Sequence, residues 1–246
     1  RPAGADPGAT AVRAEVAAAW GEGLREAVAA VADAADAASH AAAVLRAFER
    51  LDRFRVLCIH RRGPRGVEAM NRAVPGWIRG RGVSGGAGAG GAAAPGPGGV
   101  AGAAGDWYPG LPVMVLRNDH RLDLANGDVG IVLPGVAPDR APGVAPDRAL
   151  LAHFPSADGG VRAFARGRLP PHEPVYAMTV HKSQGSQFGT VLLLLPEEPS
   201  PLVTRELVYT AVTRARDRVV VAGSEAVLAA AIRLPIRRAS GLKARL

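Results

Sequence analysis

The sequence contains very little lysine. Only Lys182 and Lys243 stand among the 30 basic residues of the 246-residue chain. A phosphate-cradling P-loop needs Gly-Lys-Ser/Thr, because its lysine reaches the β- and γ-phosphates of a bound nucleotide. Lys182 follows His181 and Lys243 follows Leu242. The sequence therefore excludes a P-loop within these residues.

Cysteine, aromatic residues and long apolar runs are scarce as well. Cys58 is the single cysteine, so no disulfide can form within the chain, and we expect a reducing, cytoplasmic location. Aromatic residues make up 4% of the sequence, but 48% is hydrophobic, which suffices for the cores of one or two domains. The absence of a run of about 18 apolar residues predicts no membrane span. The sequence shows no charged-then-apolar leader, so we expect no secretion. It begins with Arg1 and not with Met, so we expect a piece of a longer protein.

Acidic residues are outnumbered by basic ones, and the formal net charge is +8. Such a balance favours a polyanionic partner, because arginines and lysines release counterions when they bind nucleic acid. Many basic proteins nevertheless bind no nucleic acid. The charge alone leaves the partner open.

The first third of the sequence predicts helices followed by a strand and another helix. Apolar residues recur at helical spacing between residues 10 and 54, with Thr10 as the candidate N-cap. Residues 55–60 have the apolar, β-branched character of a buried strand, and residues 66–78 follow as a helix. This succession indicates an α/β layer. Residues 80–105 are rich in Gly and Pro, which predicts a flexible linker.

The middle of the sequence predicts β-structure. Several short strands within about 60 residues indicate a small barrel or sheet. The predicted strands are residues 111–119, 129–133, 149–154 and 161–166. The tandem repeat GVAPDRAP–GVAPDRAL at residues 135–150 is too short for a solenoid, and we interpret it as an expanded surface loop.

The last third alternates between strands and helices, which predicts a parallel sheet covered on both faces. The predicted strands are residues 175–180, 190–196 and 217–224. The predicted helices are residues 206–214 and 226–233.

Polar side chains are densest between the first two of these strands, from Thr179 to Gln187. The segment supplies hydroxyls, an imidazole, an ammonium group and amides, but neither a carboxylate pair nor a set of metal ligands. It begins where residues 175–180 end, and ligands bind at the carboxyl ends of the strands in an open parallel sheet. The pattern predicts a site for phosphate or sugar groups and no metal.

A second polar cluster covers residues 209–216. Thr210 and Arg214 are four residues apart and share one face of a helix. A fixed guanidinium at this position can reach a phosphoryl group across a cleft. The alternative is a helix end with ordinary solvated arginines, which the helix dipole favours, and the residues alone leave both open. Glu197 and Glu198 are expected in a solvated loop.

The two clusters together resemble a known family. VYAMTVHKSQGSQFGTVLLLLP resembles motif V of superfamily 1 DNA helicases, and LVYTAVTRARDRVVVAGS resembles their motif VI. The spelling MTVHKSQGS, with YTAVTRAR about thirty residues later, is most similar to the RecD family. The resemblance extends over most of the chain from about residue 50. Leu111 departs from the family, which usually has Arg at that position.

The resemblance implies an α/β fold: a RecA-like parallel sheet flanked by helices, in a second helicase domain that lacks the P-loop, with an inserted small β-barrel. It implies four segments. They are a helical segment with the first strand and helix of the RecA-like domain at residues 1–79, the linker at 80–105, the barrel at 106–170, and the part with motifs V and VI at 171–246.

The resemblance also implies roles for individual residues. Arg214 matches the arginine finger of motif VI, which stabilises charge on the transferring γ-phosphate. The residues implied in nucleotide binding are Gln184, Gly185, Gln187, Thr210 and Arg214. Those implied in contacts with single-stranded DNA are Thr179, His181, Lys182 and Ser183. Gln187 replaces the usual Glu, so a hydrogen bond to a ribose hydroxyl stays possible but the negative charge is lost.

For the whole protein, the resemblance implies an ATP-dependent 5′–3′ DNA helicase that acts as a subunit of exodeoxyribonuclease V in double-strand break repair and recombination. ATP and Mg²⁺ would be bound mainly by an N-terminal RecA-like domain outside this chain. The implied partners are that domain, single-stranded DNA, and the RecB and RecC subunits, with no membrane. Three alternatives stay open: a non-catalytic nucleic-acid-binding module, a stand-alone RecD-like or relaxase-type helicase, and a peptide-binding role for the barrel.

Overall fold

A computed structural model describes residues 7–79, 107–135 and 149–236. The predicted linker at 80–105 and all but the ends of the tandem repeat lie outside these residues. The helices are α1 (Pro7–Asp33), α2 (Ala37–Asp52), α3 (Val67–Arg79), α4 (Arg205–Val212) and α5 (Glu225–Arg233). The strands are β1 (Phe54–Cys58), β2 (Leu111–Val115), β3 (Val129–Pro134), β4 (Leu150–Pro155), β5 (Val161–Ala165), β6 (His172–Pro174), β7 (Ala177–Thr179), β8 (Phe188–Leu194) and β9 (Ala215–Ala222).

The chain folds into two compact units, each with its own sheet. One unit, here the parallel unit, contains residues 7–12, 54–72 and 177–236 of the described chain. The other, the antiparallel unit, contains residues 13–53, 73–79, 107–135 and 149–176.

The parallel unit confirms the predicted RecA-like sheet. Its four strands lie in the order β7-β1-β8-β9, and all neighbours are parallel. Every residue of the central strand β1 is buried, and so are the last four of β8. This double-sided burial explains why these strands are nearly continuous apolar runs.

Helices flank this sheet, and their ends are set by local capping. α4 contacts β8, β9 and α5. The Thr204 side chain accepts a hydrogen bond from Leu207 N at the start of α4, and Ser224 does the same for Val227 N at the start of α5. Each hydroxyl satisfies a backbone N–H group that has no partner within its own helix.

The antiparallel unit contains one five-stranded sheet in the order β5-β4-β3-β2-β6. The predicted barrel is not confirmed, because β5 and β6 lie at opposite edges and do not pair with each other in the part of the chain that the structure describes. The sheet also contains β6, which the sequence did not predict. Its residues are polar or proline, and β6 is a strand only through its pairing with β2.

The N-terminal helices differ from the prediction at two points. Thr10 is not an N-cap, because α1 begins at Pro7, and proline suits a first helical position. The helical stretch is also broken once, where Asp36 and Ser39 form a reciprocal capping box that starts α2. The two helices pack together through the fully buried Trp20, whose Nε1 donates to Leu51 O at 3.4 Å.

The contacts within the chain group residues 13–53 with the antiparallel sheet. The four predicted segments and their boundaries stay a prediction. No helix among the described residues combines the length and the apolar character needed to cross a membrane.

Candidate functional site

The segment that follows β7 forms a tight turn that is stabilised by buried hydrogen bonds. His181–Ser183 is a single 3₁₀ turn, and Val180 N donates to Cys58 O at 3.2 Å. Ser183 is fully buried, and its hydroxyl donates to Val180 O at 2.7 Å. Ser183 therefore shapes the turn and does not present its side chain to solvent.

The exposed residues of this turn are His181 and Lys182. Thr179 is half-buried at the last position of β7, and its Oγ1 accepts a hydrogen bond from Lys182 N at 3.3 Å. The turn thus presents an imidazole and an ammonium group side by side at the carboxyl end of β7. Both groups are suited to contact phosphate oxygens.

The chain then reverses towards the start of β8. Gly185 has a φ of 88°, a left-handed conformation that L-residues with a side chain rarely adopt. Ser186 N donates to Ser183 O at 3.0 Å, which closes the reversal. Gln184 and Gln187 are exposed on either side of it.

Arg214 lies just past the end of α4, and its guanidinium is held by three hydrogen bonds. Nε donates to Thr210 O at 3.2 Å and Nη2 to Thr213 Oγ1 at 3.3 Å. Nη1 donates to Ser186 O at 3.2 Å. A guanidinium has five N–H donors. The contacts with described residues therefore leave two donors for a ligand on a half-exposed side chain.

The bond between Arg214 and Ser186 brings the two polar clusters of the sequence together. A second bond supports it, since Phe188 N donates to Arg214 O at 2.8 Å. Thr210 lies next to this contact, but its hydroxyl donates to Glu206 O at 2.8 Å within α4. Thr210 thus contributes its backbone carbonyl to Arg214 and keeps its side chain bonded to the helix.

The predicted site residues fall at two ends of the sheet. Thr179 pairs with Cys58, and Cys58 pairs with Leu194 at the far end of β8. Phe188, six residues earlier on β8, is therefore about 20 Å away along the strand direction, at about 3.3 Å per residue. Thr179, His181 and Lys182 lie at the carboxyl end of β7, where the sequence predicted a ligand site. The structure places Gln187 and Arg214 at the amino ends of β8 and β9.

No cluster in the described part of the chain brings together three or more His, Cys, Asp or Glu side chains that could hold a metal ion. Glu197 and Glu198 are exposed, which confirms the expected solvated loop. Burial raises the pKa of the Cys58 thiol to about 12, so this cysteine stays protonated and unreactive.

Sequence reasoning missed the supporting role of Asn71 on α3. Its Nδ2 donates to Ala177 O at 3.1 Å, and its Oδ1 accepts from Ala177 N at 2.7 Å. The side-chain amide thereby pairs with the edge of β7, just before Thr179. The available signal was a polar residue between the buried Met70 and Val74 of an apolar helix face.

One family comparison agrees with the geometry of the parallel unit. Residues 174–222, which run from the end of β6 to the end of β9, match the UvrD-like helicase C-terminal domain. This stretch contains both polar clusters and the contact between them. The match supports a RecA-like helicase domain of the UvrD-like C-terminal class in the parallel unit.

Three similar proteins narrow the class further. The RecBCD enzyme subunit RecD of Mycolicibacterium smegmatis is 43% identical over 200 residues, which cover 81% of this chain and 30% of that protein. RecD of Haemophilus influenzae is 39% identical over 141 residues, or 56% of this chain and 18% of that protein. The ATP-dependent RecD2 DNA helicase of Deinococcus radiodurans is 35% identical over 169 residues, or 69% of this chain and 20% of that protein.

The chain is thus homologous to RecD subunits and consistent with their C-terminal portion, as the motifs predicted. It spans about 30% of the length of the mycobacterial RecD subunits that it matches. Among solved structures, Pif1 helicase from Bacteroides in complex with ADP-AlF3 and single-stranded DNA is similar over 57% of this chain and 33% of that chain. The identity is 19% and the TM-score 0.36.

Proposed function

We propose that the full-length protein is an ATP-dependent 5′–3′ DNA helicase and that this chain supplies one wall of its ATP site and part of its DNA-binding surface. The observation that carries the proposal is the 3.2 Å hydrogen bond between Arg214 Nη1 and Ser186 O. It joins the two segments that resemble motifs V and VI, so a movement of one segment displaces the other.

In this proposal Arg214 is the arginine finger. Its remaining N–H donors bind the transferring γ-phosphate, whose charge a guanidinium stabilises in the transition state. Gln187 lies at the same end of the sheet, and in this proposal Gln184, Gly185 and Thr210 also belong to this wall of the nucleotide site. In this proposal, as the resemblance implies, the P-loop and the Mg²⁺ ligands belong to an N-terminal RecA-like domain outside this chain. Mg²⁺ supplies charge neutralisation to the phosphates when it is bound there.

His181 and Lys182 would contact the phosphates of single-stranded DNA at the opposite end of the sheet, with Thr179 beside them. Ser183 takes part by holding the turn through its buried hydroxyl. The net charge of +8 supports a polyanionic partner. The separation of the two ends fits a motor in which nucleotide and DNA are bound by different surfaces of one rigid sheet.

The likeness to RecD subunits supports a role as the RecD subunit of exodeoxyribonuclease V, with RecB and RecC as partners, in double-strand break repair and recombination in the cytoplasm. The 35% identity to a RecD2 helicase from Deinococcus radiodurans supports a second candidate, a RecD-like helicase that acts alone. Copurification of the full-length protein with RecB and RecC from its own cells would favour the role as a RecD subunit. Helicase activity of the purified protein without these partners would favour the second candidate.

Substitution of the arginine finger tests the proposal. In the full-length protein, Arg214→Ala should lower the kcat of DNA-stimulated ATP hydrolysis by about 1,000-fold. KM for ATP and the melting temperature should change little, because the guanidinium acts mainly on charge that develops in the transition state. Steady-state ATPase kinetics and thermal unfolding measure these quantities.

The control is Arg233→Ala, which removes an exposed arginine at the end of α5, outside both polar clusters, and should leave kcat unchanged. Wild-type turnover from folded Arg214→Ala protein would contradict the proposal. Full-length wild-type protein that binds single-stranded DNA but hydrolyses no ATP would instead favour a non-catalytic binding module.

A second prediction concerns the DNA-facing turn. Lys182→Ala should weaken binding of single-stranded DNA and reduce the slope of log Kd against log salt by about 0.7, because one phosphate contact is lost. Fluorescence anisotropy with a labelled oligonucleotide at several salt concentrations measures both. Arg233→Ala at the exposed end of α5 serves as the control for the loss of one positive charge. Equal effects of the two substitutions would show that only net charge matters.

A further inference from the structure

Arg55 is an unusual residue for the centre of a parallel sheet. It is the second residue of β1, it has no exposed surface, and the other residues of β1 are Phe, Val, Leu and Cys. Removal of a guanidinium from water is costly unless its surroundings compensate for the lost hydration. An apolar side chain would satisfy the packing of this strand at lower cost, so the packing alone does not account for the charge.

The guanidinium of Arg55 lies over the ring of Phe188, with its Cζ 4.9 Å from the ring centroid. Phe188 is the first residue of β8 and is 4% exposed. A cation–π contact is stronger when both groups are shielded from water. The contact therefore restrains the position of Phe188 at the amino end of β8.

Phe188 in turn holds the segment that contains Arg214. Its backbone N–H donates to Arg214 O at 2.8 Å. Ser186, two residues earlier, accepts the bond from Arg214 Nη1. Movement of Phe188 thus shifts both the backbone and the side-chain anchor of Arg214.

We propose that Arg55 is a positioning residue for Arg214 and that it acts through the ring and backbone of Phe188. The inference rests on the proposed function, in which the guanidinium of Arg214 binds the transferring phosphoryl group. Catalytic groups must be placed to within a fraction of an ångström, and a misplacement of about 1 Å can lower a rate about 100-fold. The Arg55–Phe188 contact supplies such placement from within the core of the sheet.

The test uses the full-length protein and two pairs of variants. Arg55→Met and Phe188→Leu each remove one side of the contact, whereas Arg55→Lys and Phe188→Tyr each retain a cation or a ring. The first pair should lower the kcat of DNA-stimulated ATP hydrolysis by about 10- to 100-fold at unchanged KM for ATP. The second pair should retain most of the activity. Phe154→Leu, a loss of a fully buried ring in the antiparallel unit, is the control for destabilisation alone.

A double-mutant comparison separates positioning from general damage. If Phe188 acts through Arg214, Phe188→Leu should lower kcat little or not at all in an Arg214→Ala background. A decrease in kcat by the same factor in both backgrounds would overturn the proposal. So would a decrease in the kcat of Phe188→Leu that Phe154→Leu reproduces at equal melting temperature.

Failure of the inference and failure of the proposed function give different results. If Arg214→Ala turns over at the wild-type rate, the proposed function fails whatever Arg55 does. If Arg214→Ala is slow but folded Arg55→Met and Phe188→Leu are as fast as wild type, only the positioning role fails. Should Arg55→Met not fold, Phe188→Leu and its comparison with Phe188→Tyr decide.

Discussion

Two glycines show how strongly the surroundings of a single residue decide its tolerance to change. Gly223 follows β9, and a Cβ at this position would lie 2.6 Å from Cβ of the buried Leu195. Gly21 lies inside α1, and a Cβ there would meet nothing within 4 Å. Nothing in the sequence distinguishes these two glycines. Of the two, only Gly223 lies so close to another residue, Leu195, that a side chain does not fit.

Substitution of these glycines by alanine should therefore have opposite effects. Gly223→Ala should lower the free energy of unfolding by about 1–3 kcal/mol, because Leu195 cannot move away without repacking. Gly21→Ala should raise it by about 0.5–1 kcal/mol, because alanine restricts the unfolded chain and favours a helix. Urea unfolding followed by circular dichroism measures both. A Gly223→Ala variant as stable as wild type would contradict the close approach.

Other single residues could be predicted only as types. Lys182 and Arg214 were recognisable from their motifs, since both sit in short, specific patterns. Ser183 was recognisable as a member of its motif, but its burial was not, because a hydroxyl can face either water or its own turn. Arg55 was predicted only as part of a strand, and its contact with Phe188 was not predicted. Its partner Phe188 lies in another strand, and nothing local indicates their contact.

At the scale of elements, a pair of histidines joins α2 to the antiparallel sheet. His40 on α2 contacts Pro134 O of β3 through Nε2 at 2.8 Å. The ring of His153 on β4 lies 5.4 Å from the ring of His40. Burial, reinforced by the charge of His40, lowers the pKa of His153 from 6.5 to about 4. The folded antiparallel unit therefore holds His153 neutral at pH values where the unfolded chain would protonate it.

The histidine pair predicts a loss of stability in mild acid. Because the pKa of His153 is lower in the folded state, the unfolded state binds its proton more tightly. Stability is then fully present above pH 6.5 and decreases as the pH falls from 6.5 to about 4, by at most about 3 kcal/mol. Urea unfolding at several pH values measures this decrease.

His153→Phe should remove most of this pH dependence, because phenylalanine cannot take up a proton. The control is His120→Phe, which replaces an exposed histidine of the same unit and should leave the dependence in place. An unchanged pH dependence in His153→Phe would show that another group is responsible.

At the scale of the whole molecule, the parallel order of four strands places the residues predicted to bind DNA and those predicted to bind nucleotide at opposite ends of one sheet. Thr179 ends β7 at one end of the sheet, and Arg214 precedes β9 at the other. The eight residues between β7 and β8 run back along the sheet and connect these ends. Because Ser186 belongs to this connection, a displacement of the His181–Ser183 turn can move the guanidinium of Arg214 through a short, hydrogen-bonded segment.

The sequence by itself determined the class of fold, the motifs and the four strands of the parallel sheet. β1 and β8 are largely buried and mostly apolar, so they were visible as local patterns. β9 has no buried residue, and its short apolar run at residues 219–221 indicated a strand. Only the tertiary structure decided that β6 is a strand and that the five antiparallel strands form a sheet with two edges. It also decided that Arg55 lies over Phe188 and that Ser186 holds Arg214. Each of these depends on backbone and side-chain contacts between residues distant in the chain, which local periodicity does not encode.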